Sequence, residues 1–371
     1  MRQLIHIFKR EAVLIVAAVL AAASMAAVPP DLGYLNYVNW SVLAVLFCLM
    51  AVVAGFRRAG AFDALSCMLA QRAAGPRQLA VLLVLACFFS SAVITNDVAL
   101  ITFVPFTVGL LGMGRRLICV LVMETAAANL GSMLTPVGNP QNLYLYSCSG
   151  MRMGEFLRVT GPLWLLGLVL VTVCTLLLVR RDEEAAALPE RMPGGPLPRA
   201  MLVRCGVLFV LCLLTVLRLV DWRITLAVTL LALLLFDRPL LAAVDYSLLA
   251  TFVCFFVLVG NLARMNAVRD WAGRLVGGHE LLVGAALSQI ISNVPAAAML
   301  APFAESWSAL ILGVDVGGLG TLIASMASLI TYRLYSSAAG AERGRFLLVF
   351  SAVNFGLLAV LGAVSFLAYG A

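Results

Sequence analysis

The sequence predicts an all-α polytopic membrane protein made of two inverted repeats, with about nine spans, two re-entrant hairpins and helices broken at the midplane. Three observations carry this. The chain is 63% hydrophobic and only 12% charged, where a soluble domain carries about twice that charged share. Its apolar runs are continuous over about 15–24 residues, the length of spanning helices rather than the alternating strands of a barrel. Polar breaks also recur at corresponding places in the two halves, the pattern of inverted-repeat transporters.

The first run, 11–28, follows Arg2, Lys9 and Arg10. It has the outline of a cleavable signal, but is long enough to cross and is read as a retained span. Spans then read at 39–55, 117–146 (broken) and 160–179, and after a polar stretch at 201–219, 223–237 (short), 246–262, 311–335 (broken) and 346–369. The apolar regions 78–111 and 279–309 are each interrupted, by Thr95-Asn96-Asp97 and by Ser292-Asn293. As one span the first would be about 50 Å long against a core of about 30 Å, and it is too short for two. Each is therefore expected to be a re-entrant hairpin with its polar tip near mid-membrane. The stretches 56–75 and 263–277 set arginines beside large apolar residues, as interfacial helices do.

With the N-terminus cytoplasmic, eighteen of the 25 basic residues fall inside, including Arg57, Arg58, Arg72, Arg180, Arg181, Arg238 and Arg343. The outside keeps Arg152, Arg158, Arg218, Arg223, Arg264, Arg269 and Arg274. That asymmetry sets the N-terminus on the cytoplasmic side of the membrane. It also makes the hairpins open to opposite sides. The Pro/Gly-rich stretch 180–200 reads as a cytoplasmic linker between an N-terminal half, 1–179, and a C-terminal half, 201–371. The net charge of +7 reflects these loops, and no basic run is long enough for a nucleic-acid arm. Nine scattered cysteines without a CxxC pair, and only His6 and His279, offer no zinc or haem set. No cofactor is expected. Neither is an enzyme, since no phosphate loop or Ser/His pair stands out.

The halves can be laid over one another. Asn96 precedes Pro105 by nine positions, and Asn293 precedes Pro302 by nine. Downstream, 129–142 lies over 318–331, so that Gly131 meets Gly320 and Tyr146 meets Tyr335.

The candidate site residues sit in these breaks. Pro136 and Pro140, with Gly138 between them, interrupt a helix, freeing carbonyls that at membrane depth line a cavity or bind something. A plain Pro kink is the structural alternative. Thr135, Pro136, Asn139 and Asn142, with Asn96, Ser292 and Asn293 at the tips and Thr321 and Ser325 in the second break, are assigned to substrate. Thr95-Asn96 and Ser292-Asn293 suit N-caps as well, and a capped helix start is itself an anion site. Thr95, Asn96, Asp97, Glu124, Gly138, Asn293 and Ser328 are assigned to the coupling ion, H⁺ or Na⁺, with a Na⁺ site expected at Asn96, Asp97 and Gly138. Acids in a membrane segment cost on the order of 3 kcal/mol, so Asp97 and Glu124 stand out. Glu124 alternatively bonds between helices, Glu305 faces water near the second hairpin's exit, and the hydroxyls at 321, 325 and 328 alternatively serve helix packing.

At Thr-Asn-Asp-Val-Ala-Leu (95–100), Gly-Ser-Met-Leu-Thr-Pro-Val-Gly-Asn-Pro-Gln-Asn (131–142) and Ser-Asn-Val-Pro (292–295), the chain resembles the ion transporter superfamily. That superfamily holds divalent anion:sodium symporters, citrate–metal symporters, arsenite-pump membrane subunits and some sodium/proton antiporters. The wording is most similar to short bacterial inner-membrane anion permeases. The resemblance implies a homodimer with a scaffold domain and a transport domain moving elevator-fashion. In the dicarboxylate symporters the tips read Ser-Asn-Thr, where this chain has Asp97 and Val294 at the last position.

The expectation is a secondary permease for a small anion, such as a di- or tricarboxylate or an oxyanion, coupled to H⁺ or Na⁺. The alternatives are a Na⁺/H⁺ antiporter of the same fold and the membrane subunit of an arsenite-type efflux system. The bilayer and the anion are the expected partners; a soluble ATPase is not indicated.

Overall fold

The computed structural model describes residues 12–179 and 197–369. The basic N-terminus, the start of the first span and most of the 180–200 linker lie outside the described residues. The remainder is helical. α1 (Ala12–Ala27) and the short α2 (Tyr34–Tyr37) precede α3 (Trp40–Arg58), which Asn39 caps by accepting from the N–H of Val42. The short α4 (Ala61–Arg72) follows, then a hairpin of α5 (Pro76–Ser91) and α6 (Asn96–Leu111). An interrupted helix comes next, α7 (Arg115–Ser132) and α8 (Pro140–Ser149), and then the long α9 (Met153–Leu178). α10 (Arg199–Val216) and α11 (Trp222–Phe236) form a second opening pair.

After a short 3₁₀ turn the same order recurs. A span, α12 (Tyr246–Arg264), is followed by the amphipathic α13 (Asn266–Val276). The hairpin is α14 (Glu280–Ile291) and α15 (Asn293–Leu300), the interrupted helix α16 (Trp307–Gly317) and α17 (Met326–Ser336), and the closing helix α18 (Arg343–Tyr369). Among the described residues, α3, α9, α10, α12 and α18 are long and apolar enough to cross a membrane unaided. The protein is an all-α polytopic membrane protein.

Two boundaries differ most from the sequence reading. α9 starts at Met153 rather than 160, because the side chain of Glu155 accepts the N–H of Arg152 at 2.8 Å and fixes a polar first turn ahead of the apolar run. The second hairpin ends at Phe303 rather than 309, because Ser306 caps a new helix by accepting from the N–H of Ala309.

Two cores hold the bundle, and each draws on both halves. One surrounds α7 with α5, α6 and α9 and with α17 and α18, through Leu83, Phe103, Leu121, Phe346 and Phe350. The other joins α3 and α12 to α8, α15 and α16, through Val45, Leu145, Phe252, Ala297 and Leu310. α1 packs on α12 while α10 packs on α3, so the opening helix of each half lies on the other half's span. Asn261 of α12 donates to Ser24 and Tyr34, and Arg264 pairs with Asp31 at 2.8 Å. That guanidinium holds the loop carboxyl of Asp31 below the ordinary carboxylate range. At the α10–α11 turn Arg218, in the left-handed region at φ 62°, lies over the Tyr146 ring and donates to the carbonyls of Tyr146 and Gly150.

Candidate functional site

The interruptions are tied to the hairpins by two hydrogen bonds that occur once in each half. The backbone N–H of Asn96 donates to the carbonyl of Gly138 at 3.0 Å, and that of Asn293 to Ala324 at 2.9 Å. The hydroxyl of Thr135 donates to the carbonyl of Ala92 at 2.5 Å, and that of Thr321 to Gln289 at 3.0 Å. Close approaches repeat too. A Cβ on Gly131 would meet Phe88 and Ser91 of the first hairpin; one on Gly317 would meet Ala285 and Ser288 of the second.

These pairs correct the register of the repeat. Thr135 answers to Thr321, Gly138 to Ala324 and Gly131 to Gly317, not Gly320; Tyr146 and Tyr335 are not equivalent. The sequence superposition is displaced by three residues. Three residues are close to one helical turn, so apolar periodicity alone scarcely separates the two registers. In the corrected register Asn139 answers to Ser325, Asn142 to Ser328, and Asn129 to Asp315.

Those last residues form one buried polar cluster. Asn129 of α7 accepts from Asn96 at 3.1 Å and from Ser325 at 2.8 Å, and its amide reaches Ser328 and the carbonyl of Gly318, both at 3.4 Å. At the equivalent place in α16, Asp315 accepts from Asn139 at 3.3 Å and from Asn142 at 2.9 Å. Each half's interrupted helix thus binds the residue opposite it on the other half. Asn293 lies against Gly318, where an added Cβ would come within 2.9 Å of its amide nitrogen.

Four helices begin at this cluster: α6 at Asn96, α8 at Pro140, α15 at Asn293 and α17 at Met326. Asn139 caps α8 by accepting from the N–H of Asn142 at 2.9 Å. Thr95, Ser292 and Ser325 make no such side-chain cap, so the capping expected at the hairpin tips is not formed. Ser292 instead takes φ 76° and turns its hydroxyl toward Ala324.

Beside the first tip a cavity of about 430 Å³ opens between the hairpin and α3, with Thr95, Asp97 and Pro140 at one end and Arg57, Arg58 and Asp245 on its walls. Asn96 points into the cluster and the next residue, Asp97, into this cavity, as successive helix positions about 100° apart require. Of the three residues expected to share a Na⁺, Asn96 and Gly138 meet through the backbone, while Asp97 lines the cavity.

The other expectations are sorted in the same way. Asn96, Ser325 and Ser328 meet at Asn129, and Asn139 and Asn142 at Asp315. Thr135 and Thr321 are spent on the hairpin ends, and Pro136 is buried in the first break. Glu124 is fully buried, accepting from Thr107 at 2.5 Å with its other oxygen unpartnered. It lies five residues before Asn129 on α7, about 7.5 Å along the helix. Glu305 is exposed. Sequence reasoning missed Asn129 and Asp315. Asp315 carried a signal, an acid inside the apolar run of α16, but the displaced register left it outside the compared segments.

Sequence comparison gives a consistent picture. Residues 4–327 match the citrate transporter family. An uncharacterized transporter of Methanocaldococcus jannaschii is 30% identical over 318 residues, covering 85% of this chain and 86% of that protein. Inner membrane protein YbiR of Escherichia coli is 31% identical over 305 residues, 80% of each chain. A 46 kDa membrane protein of Mycobacterium leprae is 28% identical over 350 residues, 81% of this chain and 80% of that one.

Proposed function

The chain belongs to the citrate transporter family and is a membrane transporter, and from that premise we propose that it is a secondary active permease for a small anion, coupled to H⁺ or Na⁺. One observation carries the reading: four helix N-termini, two from each half, converge on one buried cluster. Each contributes the positive end of a helix dipole, so together they favour a carboxylate or oxyanion. Irregular backbone is tolerated at membrane depth where it lines such a site.

The cavity beside the first tip is the approach. Arg57 and Arg58 draw an anion in, and the starts of α6 and α8, at Thr95 and Pro140, receive it. Asn96, Asn293 and the hydroxyls of Ser292, Ser325 and Ser328 supply neutral donors near the tips, while Asp97 meets the coupling cation on the cavity wall. Glu124 has a positioning role in the hairpin interface. The recurrence of hydrogen bonds across the halves supports an inverted repeat, and hence alternating access about a fixed site. In this reading the hairpins and interrupted helices move, elevator-fashion, against a scaffold of α3, α10, α11 and α12, with a second copy of the chain beside it. The acids Asp97 and Asp315 favour one other reading, Na⁺/H⁺ exchange on the same fold.

Proteoliposomes separate the two. Labelled citrate, other di- and tricarboxylates and arsenite are offered under an imposed Na⁺ or proton gradient, while an entrapped dye reports pH. The proposal expects saturable anion flux that needs the cation gradient and falls several-fold in Arg57→Gln/Arg58→Gln. Na⁺-driven proton movement with no anion present or carried would establish exchange instead.

A further inference from the structure

Asp315 is the only acid in the asparagine cluster, and its hydrogen-bond partners are neutral amides, those of Asn139, Asn142 and Gln141. A buried carboxylate is costly when its charge is met only by such groups. The surroundings show what is missing. The amide nitrogen of Asn139 lies between Asp315 Oδ1 at 3.3 Å and Ser132 Oγ at 3.2 Å. That of Asn142 lies between Asp315 Oδ2 at 2.9 Å and the carbonyl of Met133 at 3.4 Å. Asn142 itself is fully buried, and its amide oxygen has no partner. Both carboxylate oxygens, a hydroxyl and a backbone carbonyl thus lie about two N–H₂ groups, one of which belongs to an amide whose own oxygen is orphaned.

We propose that Asp315, Ser132, the Met133 carbonyl and Asn142 form a Na⁺ site, distinct from the anion's place at the helix N-termini. Oxygen donors suit a hard cation. One carboxylate balances a single positive charge, whereas a divalent ion would leave charge buried. Ser132 ends α7 and Asp315 lies in the last turn of α16, so two helix C-termini add negative partial charge. Half a turn of the Asn142 amide, whose oxygen and nitrogen are nearly equal in size, brings its unpartnered oxygen to the carboxylate. Two oxygens side by side repel unless a cation lies between them, so the turn and the binding belong together. The equivalent place in the other half holds Asn129, which is neutral, so the fold carries one such site and not two.

The inference rests on the coupled-transport reading only for what the bound ion does; binding itself is measured separately. Purified full-length protein is titrated with ²²Na⁺ in choline chloride, by scintillation proximity, and anion flux is followed on the same preparations. Saturable Na⁺ binding is expected. Asp315→Asn should weaken it about 100-fold or more, beyond the about 10- to 100-fold of an outer-shell change. Position 129 shows that the fold accepts Asn in this setting. Ser132→Ala, which removes one hydroxyl, should weaken it about tenfold, and Glu305→Gln, at an exposed position, should leave it within about threefold. Asn142→Asp combined with Asp315→Asn returns the charge to the site from the opposite wall and should restore binding. Absence of Na⁺ binding by the wild type, uptake of protons alone, or undiminished binding by folded Asp315→Asn each overturns the site. Anion flux without Na⁺ binding removes this site and leaves the anion permease; Na⁺ binding at Asp315 without anion flux does the reverse.

Discussion

Gly131 and Gly317 set how closely each hairpin lies on its interrupted helix. A Cβ at 131 would stand 2.0 Å from the backbone carbonyl of Phe88, and one at 317 would stand 2.8 Å from Ala285 Cα. Neither neighbour is a flexible tip that can move aside. Gly131→Ala is therefore expected to cost about 1–3 kcal/mol and to lower the melting temperature in detergent. Gly109→Ala and Gly362→Ala, where an added methyl meets nothing within 4 Å, should melt at or above the wild type. At Glu124 the relevant partner is Thr107. Thr107→Val strips the carboxylate of its one side-chain donor in the interior and should destabilise by about 1–3 kcal/mol. Glu124→Gln keeps an acceptor for that hydroxyl, and its anion flux should stay cation-coupled. Coupling lost in Glu124→Gln would return this residue to the transport site.

The elements that matter most are the two interruptions, and the chain builds them from different sequences. The first uses Pro136, Gly138 and Pro140; the second uses Gly318, Gly320 and Ser325, with Gly320 at φ 98°. Proline removes donors and glycine relaxes the backbone, yet both routes end in the same pair of bonds to a hairpin. That equivalence has a measurable consequence. Thr135→Val and Thr321→Val each remove one hydroxyl donor from a hairpin carbonyl, at about 0.5–1.5 kcal/mol. The two thermal shifts should therefore be similar and, because the residues belong to separate contacts, near additive in the double variant. A large shift for one and none for the other would count against the corrected register.

Over the whole molecule, each core is shared by both halves, so neither half is expected to fold as a separate domain. The loops decide orientation. Arg57, Arg58 and Arg72 cluster before the first hairpin, and with the N-terminus inside they face the cytoplasm. Cys148, exposed at the end of α8, then lies outside. In intact cells an impermeant maleimide should label Cys148 in a background cleared of the other cysteines. A cysteine placed at the exposed Arg72 should react only after permeabilisation. The opposite pattern would invert the protein, and with it the side from which the Asp97 cavity fills.

Composition, run length and the polar breaks determined the fold class, the order of elements and the two hairpins, because hydrophobic burial in a bilayer writes itself along the chain. The tips and the first break were legible for the same reason: Asn96, Asn293 and the paired prolines are out of place in apolar sequence. Which of these residues meet was decided only by the tertiary structure. Asn96 and Asp97 are neighbours in the chain but face different spaces, and Glu124, as conspicuous as Asp97, meets Thr107 of the first hairpin. Asp315 stands opposite Asn139 and Asn142 across 170 or more residues of chain. Apolar periodicity fixes a helix face but is nearly blind to a shift of one turn. The register that pairs Asn129 with Asp315 therefore had to come from backbone hydrogen bonds and from close contacts at glycine, which only the folded chain makes.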